Sequence, residues 1–145
     1  MQTFVIFGRQ PKLGLAEVES LYGANVIQPV GNVAAIIDIE PASINFSALG
    51  GTIKFGKLLT VLDTTEWRDI EQFLVQRVPK HAEMLEPGKL RLGLSAYELH
   101  LAPKTMLAPG LKVTQALKAT GRNARLVPTT MPMLNSAHVL QHHLT

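Results

Sequence analysis

Apolar and polar positions divide the chain into short runs with either strand or helix spacing. Residues 3–8 (TFVIFG) are β-branched and aromatic, which predicts a first strand. Gln10-Pro11 breaks it, and Leu15, Val18 and Tyr22 then recur at helical spacing until Gly23 stops the helix. Residues 25–30 and 33–39 read as two further strands joined by the tight-turn pair Gly31-Asn32. Residues 41–49 suggest a short helix ended by Gly50-Gly51, and residues 53–62 (IKFGKLLTVL) return as a strand. The order β-α-β-β-α-β over about sixty residues predicts the split βαβ, or ferredoxin-like, arrangement for a domain spanning residues 1–62.

The periodicity changes character from residue 63. Asp63-Thr64-Thr65 are residues that favour a helix N-cap. Trp67, Ile70, Leu74 and Val78 follow as one apolar stripe, which Pro79 is expected to close. Glu86-Pro87-Gly88 is a turn, and residues 89–97 alternate leucines with Arg91, Gly93 and Ser95, the pattern of a half-buried strand. Residues 100–109, with two prolines, read as a loop, and residues 110–120 as a helix ended by Gly121. A short strand over 124–127 and a last short helix over 136–144 complete a second small α/β layer, residues 63–145. The expected fold class is α+β, in two parts.

Charge adds a direction to this picture. Residues 1–72 carry five Lys/Arg and eight Asp/Glu, whereas residues 73–145 carry nine and three. No acidic residue follows Glu98, while Lys104, Lys112, Lys118, Arg122 and Arg125 do. Such asymmetry points to a polyanion as partner of the second half, the alternative being a solvated basic face with no partner. Beside a nucleic-acid partner the acidic first half would serve as a spacer. On a helical wheel of residues 110–120, Val113, Ala116, Leu117 and Thr120 share one side. Lys112, Gln115, Lys118 and Arg122 share the other, with Leu111 the misfit. The chain has no cysteine, so disulfides and thiolate metal sites are excluded and a reducing, cytoplasmic setting is expected. No apolar stretch approaches the ~20 residues that span a bilayer, and residues 1–8 lack the basic start and cleavage site of a signal peptide.

Several chemistries find no residues to carry them. No two glycines stand at i and i+2, so a G-x-G-x-x-G dinucleotide loop is absent, as is a G-K-[ST] phosphate loop. No serine lies in a nucleophile elbow. His138 and His142 have the i, i+4 spacing of metal ligands, with His143 beside them, but no acidic residue is near enough to complete the set. No Asn-Pro or Asp-Pro dipeptide occurs, which removes the [DN]-P-P-[FYW] tetrapeptide that amino-methyltransferases use to hold an amine. We expect no catalytic residue, no metal and no cofactor in this chain.

Four pieces of the second half stand in a meaningful order: Lys89-Leu90-Arg91-Leu92-Gly93-Leu94-Ser95, the helix from Gly110 to Lys118, Gly121-Arg122-Asn123-Ala124-Arg125-Leu126-Val127, and Leu134-Asn135-Ser136-Ala137-His138-Val139. Together they resemble the THUMP region of the archaeal and eukaryotic tRNA guanosine N2-methyltransferases. In that family a K-x-x-x-G-[ILV]-S strand, a helix, a G-R-x-x-R-x-V turn and strand, and an L-[NS]-[ST]-A-x-V helix succeed one another. Phe4 to Val18 (FVIFGRQPKLGLAEV) and Leu49-Gly50-Gly51-Thr52-Ile53-Lys54 are similar to the family's N-terminal ferredoxin-like domain. The resemblance implies a ferredoxin-like domain followed by a THUMP-like domain that captures the acceptor end of tRNA. It also implies that a Rossmann-like catalytic domain binding S-adenosylmethionine would follow beyond Thr145.

On that basis Lys112, Lys118, Arg122 and Arg125 are the leading candidates for RNA contact, with Lys89, Arg91 and Lys104 behind them. Gly121 is expected to end its helix in a left-handed turn that brings Arg122 close to Arg125. Arginine forks suit bidentate phosphate contact, while lysines act as point charges. Two other readings stay open: a THUMP module of a different tRNA-modifying enzyme, and a ferredoxin-like domain that binds a small molecule.

Overall fold

The computed structural model describes residues 1–128 as two compact units, the first Met1–Val61 and the second beginning at Leu62. The expected helix over residues 136–144 and the histidines at 138, 142 and 143 lie outside the described residues.

In the first unit, strands β1 (Thr3–Phe7), β2 (Ile27–Val30), β3 (Ala34–Ile37) and β4 (Thr52–Lys57) form one sheet in the order β2-β3-β1-β4. Every neighbouring pair is antiparallel. That is the strand order of the split βαβ arrangement. Helix α1 (Pro11–Tyr22) covers one face, its start set by a proline in the first turn and its end by Gly23 at φ 91°. Val18 from the helix meets Val5, Phe7, Ala35 and Ile37 from the sheet in a dry core closed by Ile44 and Leu49. The buried hydroxyl of Thr3 donates to the Ile39 carbonyl at 2.7 Å.

Two expectations are corrected here. Residues 41–49 form no α-helix but two 3₁₀ turns, Pro41–Ser43 and Phe46–Ala48. Ser43, Asn45 and Ser47 are poor helix formers whose side chains bind locally, as the Ser47 hydroxyl does to Asn45 Oδ1 at 2.7 Å. The fourth strand stops at Lys57 rather than running to residue 62. Its pairing with β1 ends there: Lys57 pairs with Thr3, the first residue of β1, and the Leu58 amide donates to the Gln2 carbonyl.

The two first-unit motifs meet in space. Glu17 of α1 accepts the amides of Gly50 and Gly51, one on each carboxylate oxygen, at 2.8 and 2.9 Å. Gly51 lies so close to α1 that a Cβ placed on it would stand 2.6 Å from the Gly14 Cα. The glycine of L-G-x-A-E-V and the second glycine of L-G-G-T-I-K are thus needed for close backbone approach, and the glutamate latches the turn. We expect Glu17→Ala to cost about 2 kcal/mol, because it removes two charge-assisted bonds and strands a half-buried amide. Amide exchange at Gly50 and Gly51 reads this out, and unchanged protection would refute the latch.

The second unit holds α2 (Trp67–Ala82), β5 (Leu90–Leu92), α3 (Pro103–Ala119) and β6 (Ala124–Leu126). The two strands pair in parallel, joined through α3. Leu74, Val75 and Val78 of α2, Val113 and Leu117 of α3, and Leu90, Leu92 and Ala124 of the strands share one core. The architecture of the described residues is therefore α+β, an antiparallel four-stranded sheet in one unit and a small parallel one in the other.

Both helices of this unit override the proline rule. Helix α2 continues through Pro79 to Ala82, and α3 begins at Pro103 rather than residue 110, carrying Pro109 within it. A proline inside a helix forfeits one hydrogen bond and crowds the carbonyl four residues back. Both rings are buried, so apolar contact offsets part of that loss. The strand expected over 89–97 is confined to Leu90–Leu92, because β6 offers only three paired residues.

Candidate nucleic-acid interface

Counted by unit instead of by halves of the sequence, the charge divides differently. Divided at Val61, the first unit holds four basic and four acidic residues and is neutral, not acidic. The second holds ten basic and seven acidic residues. Asp63, Glu66, Asp69 and Glu71, which made the first half look acidic, belong to the start of the second unit, around the N-terminus of α2. Carboxylates there complement the positive end of the helix dipole, and Lys80 and His81 complement the other end. The first unit is neutral, so its expected spacer role does not rest on an acidic charge.

Lys112 and Arg122, two of the seven candidate cations, make contacts within the second unit. Lys112 of α3 forms an ion pair with Glu71 of α2. The Lys112 side chain is still 58 % exposed, so the pair is a weak hold, on the order of 1 kcal/mol or less, that a phosphate can displace. Arg122 is more firmly committed. Its guanidinium donates to the carbonyl oxygens of Leu85, at 3.5 Å, and Glu86, in the segment that follows α2. Its Nε is buried and has no partner among the described residues. This arginine fastens a loop, and it is turned to that loop rather than presented to solvent.

The geometry that places Arg122 follows from Gly121. At φ 81°, Gly121 reverses the chain after α3, its amide donating to the Lys118 carbonyl and that of Arg122 to the Leu117 carbonyl. This is the paired bonding of a Schellman cap, which glycine permits without steric cost. The left-handed turn is as the sequence leads one to expect.

The remaining five cations are exposed. Lys104 lies in the first turn of α3 and Lys118 in its last, on the outer side of a helix whose inner side buries Met106, Pro109, Val113 and Leu117. Lys89 directly precedes β5. Arg91 and Arg125 are the central residues of β5 and β6 and stand directly opposite each other in the parallel register. Leu90 and Leu92 pack toward the helices, so alternation puts both arginines on the other face of the sheet. Sequence reading named both residues but not their juxtaposition. The signal was present in the matching triplets Leu90-Arg91-Leu92 and Ala124-Arg125-Leu126, and only the pairing of those triplets gives it meaning.

Trp67, the first residue of the expected apolar stripe, is half-buried at the start of α2, and its indole Nε1 is buried without a partner among the described residues. No cluster of three His, Asp or Glu able to hold a metal occurs among the described residues, and no helix among them is long and apolar enough to cross a membrane. No family model, curated protein or solved structure matches this chain.

Proposed function

We propose that the chain is the RNA-binding front part of a tRNA-modifying enzyme. Its second unit captures the acceptor end of tRNA and presents a guanine to a downstream S-adenosylmethionine-dependent methyltransferase domain. The observation that carries this reading is the stretch from α3 to β6. It holds Lys104, Lys112, Lys118, Arg122 and Arg125 with no carboxylate among them, and Lys104, Lys118 and Arg125 are exposed. A stretch that carries only positive charge favours a polyanion, and two of the four motifs of the THUMP resemblance, those over residues 110–118 and 121–127, fall on the same elements. Phosphate contacts position such a module, while unpaired bases at an RNA end are read by shape. The catalytic step belongs to the downstream domain; this chain's part is to hold the RNA at a set distance.

Fluorescence anisotropy with a tRNA of intact 3′ end, and with the same tRNA trimmed of it, tests the proposal across a salt series. We expect tighter binding to the intact end. Contact with roughly three to five phosphates gives a log–log salt slope of about −2 to −4. Equal and weak binding to both RNAs would refute capture of the acceptor end and turn the search toward small ligands.

A further inference from the structure

The sheet of the first unit carries a pocket at one end. Val5, Ala35 and Ile37 face the core beneath α1, so alternation turns Gln28, Ile36 and Asp38 to the opposite face. Gln28 stands directly across from Ile36 in the β2–β3 register. Gln2, Asn25, Gln28, Ile36 and Asp38 all line the pocket, whose volume is about 170 Å³. The amide of Asp38 donates to the Val26 carbonyl at 2.8 Å, which holds the end of β3 against the pocket wall. Gln2, Asn25, Gln28 and Asp38 are exposed, so a ligand can reach them.

Clefts for drug-sized ligands begin at ~300 Å³, so this pocket suits one flat group. Its chemistry narrows the choice. The Asp38 carboxylate only accepts hydrogen bonds, the three side-chain amides both donate and accept, and Ile36 offers an apolar surface. Guanine alone among the common nucleobases presents two adjacent N–H donors with a carbonyl oxygen beside them. A guanidinium would answer the carboxylate but leave the amide donors unmet.

We propose that this pocket binds a guanine base. Asp38 accepts from the ring N1–H and the exocyclic amino group, Gln28 and Gln2 donate to O6, and Ile36 packs against the ring. Unpaired bases are read in this way, by hydrogen bonds along one edge and apolar contact with the ring. The carboxylate disfavours phosphate, so the pocket reads a base where the cations of the second unit meet phosphates. It therefore goes beyond the tRNA-capture reading and does not depend on it.

The test is a titration of the isotope-labelled full chain, followed by amide NMR, with guanosine monophosphate and with inosine monophosphate. The two differ only in the exocyclic amino group. Guanosine monophosphate is expected to shift the amides of Gln28, Ile36 and Asp38. It should bind about ten-fold tighter than the inosine nucleotide, the size of one charge-assisted bond. Asp38→Asn should bring the two nucleotides to equal affinity. Gln28→Ala should weaken both by about three-fold, because O6 is common to them. Unchanged amide shifts elsewhere in each variant check that it folds.

Equal affinity of the parent chain for both nucleotides would overturn the guanine reading. Shifts confined to the second unit would overturn it too, by showing that only the phosphate is held. If L-arginine shifts the same amides as strongly as guanosine monophosphate, the pocket takes a guanidinium and the proposal fails. With no shift from either nucleotide the pocket reading falls, while tRNA capture, tested by salt-sensitive binding of tRNA, stands or falls separately.

Discussion

Replacing Leu117 with alanine is expected to destabilise the second unit by about 3 kcal/mol, within the range for truncating a fully buried leucine. Leu117 is 1 % exposed and, among the described residues, is the largest of the fully buried side chains in a core with Ala82, Val113 and Ala124. Leu74, Val75, Val78, Leu90 and Leu92 close around it from two elements. Leu117 is enclosed by these neighbours, so its truncation leaves a cavity whose cost adds to the lost burial. The substitution keeps the backbone carbonyl of residue 117, which accepts the Arg122 amide, so the cap geometry is not the cause of the loss. Trp67, the chain's single tryptophan, belongs to the same unit and reports the transition by fluorescence in urea. The midpoint should fall well below that of the parent, while Lys118→Ala, one residue on and exposed, should leave it in place. Equal midpoints for the two variants would mean that the packing around α3 is not what holds this unit together.

The second large effect is expected in the first unit, from Gly51→Ala. The added Cβ would meet the Gly14 Cα at 2.6 Å and its amide nitrogen at 3.1 Å, both backbone atoms that no rotamer change can move. Helix α1 must lift away from the turn, which also lengthens the two bonds from Gly50 and Gly51 to Glu17. The expected cost is about 2–3 kcal/mol, the range for forcing extra volume into a closed contact. No tryptophan lies in this unit, so amide exchange at Val5 and Phe55 on the paired strands β1 and β4 is the measurement. Faster exchange at both is the expected result. Exchange as slow as in the parent would show that α1 and the turn are not in the contact described. Glu17→Ala gives a smaller effect at the same place, because it removes the latch but leaves the close approach intact.

These two sites show where the sequence was legible. Strand β1 and helix α1 could be read from spacing alone, since a run of β-branched and aromatic residues followed by Leu15, Val18 and Tyr22 satisfies local preference and core burial together. The glycine–glycine contact could not. Gly14 within a helix reads as a weak point costing ~1 kcal/mol, and its reason appears only when Gly51 arrives from a segment 37 positions later. The prolines misled for a related cause. Pro79 and Pro109 each carry a local penalty, yet both are buried where the helices pack, and that contact is not a local quantity.

The candidate interface divides along the same line. Composition and periodicity by themselves determined the α+β class, the two-part organisation and the list of cations after Glu98. They do so because charge, hydrophobicity and short-range spacing are properties of neighbouring residues. Which cations meet solvent is decided by tertiary structure alone. Lys112 finds Glu71 across a helix pair, and Arg122 is drawn to carbonyls more than thirty residues upstream. Arg91 and Arg125 become neighbours only through the parallel register of two strands separated by a helix. The length of each strand was likewise set by its partner: β4 stops where β1 begins, and β5 is as long as β6. A residue's local preference is written in its own side chain, whereas its partner is chosen by the packing of elements remote in sequence.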